Sequence, residues 1–143
     1  MKRILVFLNL GLLILDRLSK WFILNRPDFY SGNLIELKLF KNPRLYFIFL
    51  RPHINTLVMG VIGAVILLLL FLFLKSCQKG DFLLMAGFSL IIIGGLSNFF
   101  DRIIFGYVID WIRVFFLPIS IFNIADLMII GGVVVLGIKF IKK

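Results

Sequence analysis

The sequence has few of the side chains that usually carry hydrolytic or redox chemistry. It contains one cysteine, Cys77, so no internal disulfide can form, and one histidine, His53. These residues stand at opposite ends of one long apolar run, roughly 36 Å apart if the run is helical, so they cannot form a Cys–His pair. The sequence also lacks a His-Glu-x-x-His motif and a second histidine for a conventional zinc site. No metal or organic cofactor is implied.

Acidic residues are scarce as well, since seven Asp and Glu stand against 16 Lys and Arg, for a net charge of +9. In a soluble protein this surplus would suggest nucleic-acid binding. Here the cations flank apolar runs, where Lys and Arg normally meet lipid head groups. We therefore expect membrane lipid as a partner and no nucleic acid.

Apolar residues are abundant, because 62% of the chain is hydrophobic and the mean hydropathy is +1.10. A soluble domain is about half apolar. The excess falls in four runs near the roughly 20 residues that cross a bilayer as a helix: residues 4–24, 54–74, 82–105 and 120–141. We predict one polytopic membrane domain, residues 1–143, of the all-α membrane class, with four transmembrane helices and a small β-sheet after the first.

The boundaries of these runs carry further signals. Residues 1–16 look like a signal peptide, but no small-x-small cleavage site follows and the apolar run continues to Leu24, which indicates a retained helix. Residues 34–39 alternate between apolar and polar side chains, which predicts a short strand at the membrane surface. Pro52 and Ser120 are predicted to start the second and fourth helices. Four spans place both termini on one side, although the charges indicate only weakly which side that is.

Four of the seven acids lie in or beside the apolar runs: Asp16, Asp101, Asp110 and Asp126. A charge at the centre of a span costs roughly 2.5–3.5 kcal/mol, so such acids are candidates for function. The short connection between the third and fourth runs predicts antiparallel neighbours, which would bring Asp110 and Asp126 to one membrane face. Asp126 is expected roughly 9 Å below Ser120.

Two neighbouring carboxyl groups suit acid–base hydrolysis, because they cannot easily both ionise and so share a proton. One can act as base toward a water while the other donates to a substrate carbonyl oxygen. Structural and transport roles for Asp110 and Asp126 stay open on these grounds alone. Asp16 with Lys20 has the spacing of a structural i,i+4 ion pair.

Other polar and small residues have simpler interpretations. The pair Asp101-Arg102 is typical of anchoring at the membrane interface. Asn98 and Asn123 each lie one helical turn from an acid, where amides bond between helices or line a site. The pairs Gly94-Gly95 and Gly131-Gly132 are expected to allow close helix packing.

Three ordered motifs of this chain resemble those of the lipoprotein signal peptidases, the signal peptidase II family. The family pattern is roughly G-N-x-x-D-R, then V-x-D-F, then F-N-x-A-D, and a D-x-x-[ST]-K element ends its first helix. The matching segments are Gly95-Leu-Ser-Asn98-Phe-Phe-Asp101-Arg102, Gly106-Tyr-Val-Ile-Asp110-Trp111, Phe122-Asn123-Ile-Ala125-Asp126 and Asp16-Arg-Leu-Ser19-Lys20.

The resemblance implies an aspartic endopeptidase of the bacterial cytoplasmic (inner) membrane. It would remove the signal peptide of a prolipoprotein just before a diacylglyceryl-modified cysteine, with its active site and small sheet on the extracytoplasmic side and its termini in the cytoplasm. Carried over by motif, Asp110 and Asp126 would be the catalytic pair. The positions expected to bind substrate or support the site are Asp16, Lys20, Asn42, Asn98, Arg102, Asn123 and Ala125.

The chain departs from the family pattern in places. An N-x-G-x-A-F-like element is usual after the first helix, and here Asn42 and Phe47 are kept while Arg44 and Tyr46 replace glycine and alanine. Trp111 replaces the usual phenylalanine, and Ser97 stands where glycine is usual before Asn98. The bulky Arg44 and Tyr46 are expected to affect substrate fit.

One alternative from a different class is a non-enzymatic membrane carrier or assembly protein. The acids would then serve as proton-relay or ion-pair groups. The departures around Asn42 are its main support. Four helices suffice for a monomer under either hypothesis.

Overall fold

The helices account for most of the chain in the computed structural model, which describes residues 2–43, 52–116 and 121–141. The substitutions at Arg44 and Tyr46, with Phe47 and Ser120, lie outside the described residues. Four helices follow the four apolar runs: α1 Lys2–Asn25, α2 Pro52–Lys79, α3 Phe82–Phe105 and α4 Ile124–Ile141.

Two helix boundaries differ from the predicted runs. α4 begins at Ile124 rather than at residue 120, because residues 121–122 form a strand. Asp126 therefore lies in the first turn of α4. α2 continues to Lys79, so the turn before α3 is limited to Gly80 and Asp81, whose side chain caps α3 by accepting from the Leu84 N–H.

A four-stranded antiparallel sheet packs at one end of the helices. Its order follows the chain, with β1 Asp28–Ser31, β2 Ile35–Asn42, β3 Val108–Val114 and β4 Ile121–Phe122. The alternation at residues 34–39 predicted β2, whereas the other three strands were not predicted. Asp110 therefore lies within a strand of the segment that connects α3 to α4, opposite Phe40 of β2.

Three of the described helices are long and apolar enough to cross a membrane: Thr56–Lys79 of α2, Phe82–Phe105 and Ile124–Ile141. α1 is not among them, because Asp16, Arg17 and Lys20 interrupt its apolar run. The described part of the chain is thus mostly helical, with a small antiparallel sheet and three candidate membrane spans.

α1 reverses the arrangement of a soluble amphipathic helix, which buries its apolar face and exposes its polar face. Its buried stripe recurs at helical spacing and carries polar and charged side chains, among them Asn9, Asp16 and Lys20. The Asn9 amide donates to the Ser89 hydroxyl of α3 at 2.9 Å. Large apolar side chains such as Phe7, 72% exposed, cover the outer face. α1 therefore turns its polar groups toward the protein interior.

α3 and α4 pack closely through glycine, as expected from the paired glycines. A Cβ on Gly94 would lie 2.5 Å from the Ala125 carbonyl oxygen, and one on Gly132 would lie 2.6 Å from the Gly87 carbonyl oxygen. The second glycine of each pair is different, since a Cβ on Gly95 would make an ordinary contact at 3.9 Å and one on Gly131 would meet no atom within 4 Å. One glycine of each pair makes the close contact.

Candidate active site

Asp110 and Asp126, called the acid pair below, come together from different elements. Asp110 lies in the middle of β3 and is 1% exposed, and Asp126 lies in the first turn of α4. Because the two carboxyl groups sit on separate elements, their relative position depends on the side chains between them.

Asn123, the residue before α4, joins the acid pair. Its N–H donates to Asp126 Oδ2 at 3.2 Å, and the Asp126 N–H donates back to Asn123 Oδ1 at 2.9 Å. This is a reciprocal capping box built from a short amide and a short acid. Asn123 Nδ2 also donates to Asp110 Oδ1 at 2.7 Å. One asparagine therefore holds both carboxyl groups.

Two more asparagines give each carboxyl group a second donor. Asn42 Nδ2, from β2, donates to Asp110 Oδ2 at 2.6 Å, and Asn98 Nδ2, from α3, donates to Asp126 Oδ1 at 2.8 Å. Lys20 Nζ donates to Asn98 Oδ1 at 3.0 Å. Since an ammonium can only donate, it fixes which end of the Asn98 amide faces Asp126.

The environment of Asp110 favours a protonated carboxyl group. Burial raises the pKa of Asp110 to about 6, and the negative charge of Asp126 also acts to raise it. Hydrogen bonds from Asn42 and Asn123 and the charge of Lys20 oppose that rise in the pKa. A neutral carboxyl group beside an ionised one is therefore accessible near neutral pH.

A second group of charges, called the charge cluster below, lies next to the acid pair and consists of Asp16, Arg17, Lys20 and Asp101. Lys20 Nζ lies 3.1 Å from Asp16 and 2.7 Å from Asp101, and Arg17 lies 2.9 Å from each. Both acids are completely buried, and two acids against two bases leave no net charge. Such balance is what buried ions require, because an unpaired buried charge is strongly destabilising.

The expected pairs are therefore only partly correct. Asp16 does pair with Lys20 within α1. Asp101 was expected at the membrane interface with Arg102, and this is wrong, because Asp101 is buried and pairs with α1. Arg102 donates to the Asn98 carbonyl oxygen at 3.3 Å, and its charge interacts with both members of the acid pair.

The remaining predicted position, Ala125, is completely buried directly before Asp126. Its N–H donates to Asp16 Oδ1 at 2.9 Å. Arg17, Asp101 and the Ser97 hydroxyl, which bonds to Asp16 and Arg17, join this region without having been predicted as site residues. Asp101 is one of the four acids in or beside the apolar runs and lies one helical turn from Asn98, and these two signals in the sequence indicated it as a candidate without showing its partners.

The arrangement suits proton transfer to and from a water held by the acid pair. Each carboxyl group keeps its orientation through neutral amide donors, and the two cations of the charge cluster are paired with Asp16 and Asp101. Within residues 2–43, 52–116 and 121–141, no three His, Cys, Asp or Glu side chains are grouped as a metal site.

Comparison with known proteins gives consistent matches over the whole chain. The sequence profile of a family described as Signal peptidase (SPase) II matches residues 8–142. A lipoprotein signal peptidase of Streptococcus agalactiae is 31% identical over 150 residues, covering 99% of this chain and 94% of the relative. One from Caldicellulosiruptor bescii is 33% identical over 134 residues, covering 91% of this chain and 85% of the relative.

Solved structures support the fold. A bacterial membrane enzyme determined by the in meso method at 1.9 Å superposes with a TM-score of 0.77 at 22% identity, covering 97% of this chain and 93% of that one. A second such enzyme, at 2.3 Å, gives a TM-score of 0.74 at 22% identity, covering 96% of this chain and 87% of that one.

Proposed function

Since the chain belongs to the signal peptidase II family, we propose that it cuts its substrates with Asp110 and Asp126 as the catalytic acid pair. The family assignment makes the protein an aspartic endopeptidase of a bacterial membrane that removes signal peptides from prolipoproteins. The carrier hypothesis is not favoured, and Asn42, whose surroundings were its main support, donates to Asp110.

In the proposed mechanism the acid pair shares one proton and holds a water. The ionised carboxylate takes a proton from the water as it attacks the scissile carbonyl carbon, and the neutral carboxyl group donates its proton to the carbonyl oxygen. The carboxyl group that took the water proton then gives it to the leaving amine nitrogen, the other carboxylate takes a proton back from a hydroxyl of the tetrahedral intermediate, and the C–N bond breaks. The observation that carries this proposal is that Asn123 donates to both carboxyl groups, which holds the buried Asp110 and the partly buried Asp126 as a unit.

Arg102 and the asparagines would support this reaction in different ways. Asn42, Asn98 and Asn123 orient the carboxyl oxygens, and Asp16 and Lys20 hold Ala125 and Asn98 in place. Arg102 donates to a backbone carbonyl in its own helix, which leaves further guanidinium donors for an acyl or backbone oxygen of substrate.

We also propose that the chain is a monomer with four spans, its termini in the cytoplasm and the acid pair and sheet on the extracytoplasmic side. The exposed apolar face of α1 supports a fourth span, because its charges are buried against α3 and α4 and need not meet lipid. The substrate would carry diacylglyceryl on the cysteine that follows the scissile bond, and lipid would surround the helices.

The test is cleavage of a diacylglyceryl-modified prolipoprotein peptide by the purified protein in detergent or lipid. Asp110→Asn and Asp126→Asn keep the size of each side chain but cannot transfer the proton. Each should lower kcat by about 10²–10⁴-fold or more, with substrate affinity largely kept.

The matched control is Asp28→Asn. Asp28 is a carboxylate of the same sheet that is 72% exposed and pairs with Lys38 at the surface. The Asp28→Asn variant should cleave the peptide at the wild-type rate. Normal turnover by either acid-pair variant would overturn the assignment of these two residues.

A further inference from the structure

The charge cluster is bonded to the backbone directly before each member of the acid pair. Asp101 Oδ2 accepts the N–H of Ile109, which precedes Asp110, at 3.3 Å. Asp16 Oδ1 accepts the N–H of Ala125, which precedes Asp126, at 2.9 Å. Two buried carboxylates thus hold equivalent positions on two different elements.

The two carboxylates are linked to each other by both cations of the cluster. Arg17 reaches Asp101 with one terminal nitrogen and Asp16 with the other, each at 2.9 Å. Lys20 Nζ lies between the same two acids. A continuous chain of charged hydrogen bonds therefore runs from the start of α4 to β3, and bonds of this kind are the stronger ones.

The backbone at Ile109 depends on side chains for its hydrogen bonds on this edge of β3. In the described sheet, β4 pairs with Ile112 and Arg113, beyond this point. The Ile109 N–H is satisfied by Asp101, and its carbonyl oxygen accepts from Asn123 Nδ2 at 3.3 Å. A buried backbone donor requires such a partner, so Asp101 fixes the position of the β3 backbone directly before Asp110.

We infer that Arg17 and Asp101 are positioning residues that set the separation of the two catalytic carboxyl groups by linking the backbone before Asp110 to the backbone before Asp126. This inference rests on the proposed function of the acid pair. Arginine suits the role because its planar fork binds two acids at once, whereas a lysine at residue 17 would offer a single point charge.

The experiment separates positioning from stability with a charge-balanced double variant. Arg17→Gln or Asp101→Asn alone leaves one buried charge unpaired, so each should lower both the melting temperature and kcat. The double variant Arg17→Gln/Asp101→Asn leaves Asp16 paired with Lys20 and should recover much of the melting temperature. Its kcat should stay about 10²-fold below wild type with KM little changed, because the Arg17 bridge is gone and Lys20 no longer has an ionic partner at residue 101, which loosens the linkage.

Arg17→Lys serves as a second variant that keeps every charge and so avoids a buried unpaired ion. We expect near-wild-type melting and a lowered kcat, since an ammonium lacks the two separate terminal nitrogens with which the guanidinium reaches Asp101 and Asp16. The matched control is Asp81→Asn/Lys139→Gln, which removes an ion pair at 2.7 Å between the N-cap of α3 and the last turn of α4. This control should keep the wild-type kcat.

A wild-type kcat in the folded double variant and in Arg17→Lys would overturn the inference and leave the cluster a purely structural role. That result is distinguishable from failure of the proposed function. If the proposed function itself were wrong, Asp110→Asn or Asp126→Asn would turn over normally.

Discussion

The residues that contact the acid pair most directly are amides rather than cations. Asn42, Asn98 and Asn123 donate to the carboxyl oxygens, while Lys20 donates to the far side of the Asn98 amide. A cation bonded to either carboxyl group would favour full ionisation and lower the pKa of that group. Amides orient the carboxyl groups without imposing a full charge, which leaves the shared proton in place.

This balance predicts a pH effect for Asn42→Ala. The pKa of Asp110 is already raised to about 6 by burial, and the Asn42 hydrogen bond opposes that rise by stabilising the ionised form. As pH rises through this pKa the acid pair loses its shared proton, so kcat/KM of the free enzyme falls. Removing the Asn42 donor raises the pKa of Asp110 further and should move this fall to higher pH by about one unit.

The measurement is kcat/KM against pH for wild type and Asn42→Ala on the same peptide. Asn25→Ala is the control, because Asn25 is exposed and donates to the Trp21 carbonyl oxygen of its own helix. A shift of the alkaline limb to lower pH in Asn42→Ala would contradict the expected sign.

Among the individual residues of the site, the sequence indicated the acid pair but not all the residues around it. Asp110 and Asp126 could be found because acids are rare in apolar runs and few other catalytic side chains exist. Asn98 and Asn123 were indicated by their spacing from an acid as well as by the family resemblance, whereas Asn42 came from the resemblance alone. Arg17 and Asp101 could not be paired, because they are 84 residues apart and no local spacing connects them. Long-range contacts of this kind depend on how α1 packs against α3.

Among the elements, α3 and α4 set the position of Asn98 relative to Asp126. Gly94 lies one helical turn before Asn98 and faces the start of α4, where its missing side chain leaves room for the Ala125 carbonyl. The close approach of the two backbones therefore occurs beside the site itself. Small residues are favoured at such helix contacts in membranes.

Two adjacent substitutions test this contact. Gly94→Ala places a Cβ 2.5 Å from a backbone oxygen, so α3 and α4 must separate. We expect a loss of stability of about 1–3 kcal/mol and a clear fall in kcat. Gly95→Ala adds the same group one residue later, where the nearest atom is 3.9 Å away, and should melt and cleave like wild type. Equal effects in both variants would exclude a specific role for the Gly94 contact, as judged by melting curves and activity in the same detergent.

The elements also show why the sheet was only partly predicted. β2 has apolar and charged residues in alternation, and that pattern is typical of a half-buried strand. The first three residues of β3 are all buried, so the period-two signal is lost there. β4 has two residues and precedes α4 directly, which is too short for any periodic pattern. Its place at the start of α4 also explains the error in the predicted helix boundary.

For the molecule as a whole, charge and hydropathy are arranged for a lipid surround. Large apolar side chains are exposed along the helices, and the buried positions of α1 and α3 include Asn9, Asp16, Ser97 and Asp101. Composition predicted the membrane class because an apolar surface of this kind needs an excess of apolar residues. Composition could not predict which polar side chains face the interior, since these side chains are few and are distributed over three helices.

The proposed topology makes Cys77 a useful reporter, because it is the single cysteine of the chain and lies near the end of α2, toward the side proposed to be cytoplasmic. A membrane-impermeant thiol reagent should label Cys77 in inside-out vesicles and not in right-side-out ones. The reverse should hold for Ser31→Cys in a Cys77→Ser background, since Ser31 is an exposed residue of β1, on the sheet side. Labelling of both positions from the same side would contradict the four-span topology, because α2 would then fail to separate them.

The α1 span has its own test. If α1 did not cross the membrane, β1 and Lys2 would lie on the same side. Cleavage of an N-terminal tag by protease in right-side-out vesicles would therefore exclude the α1 span specifically.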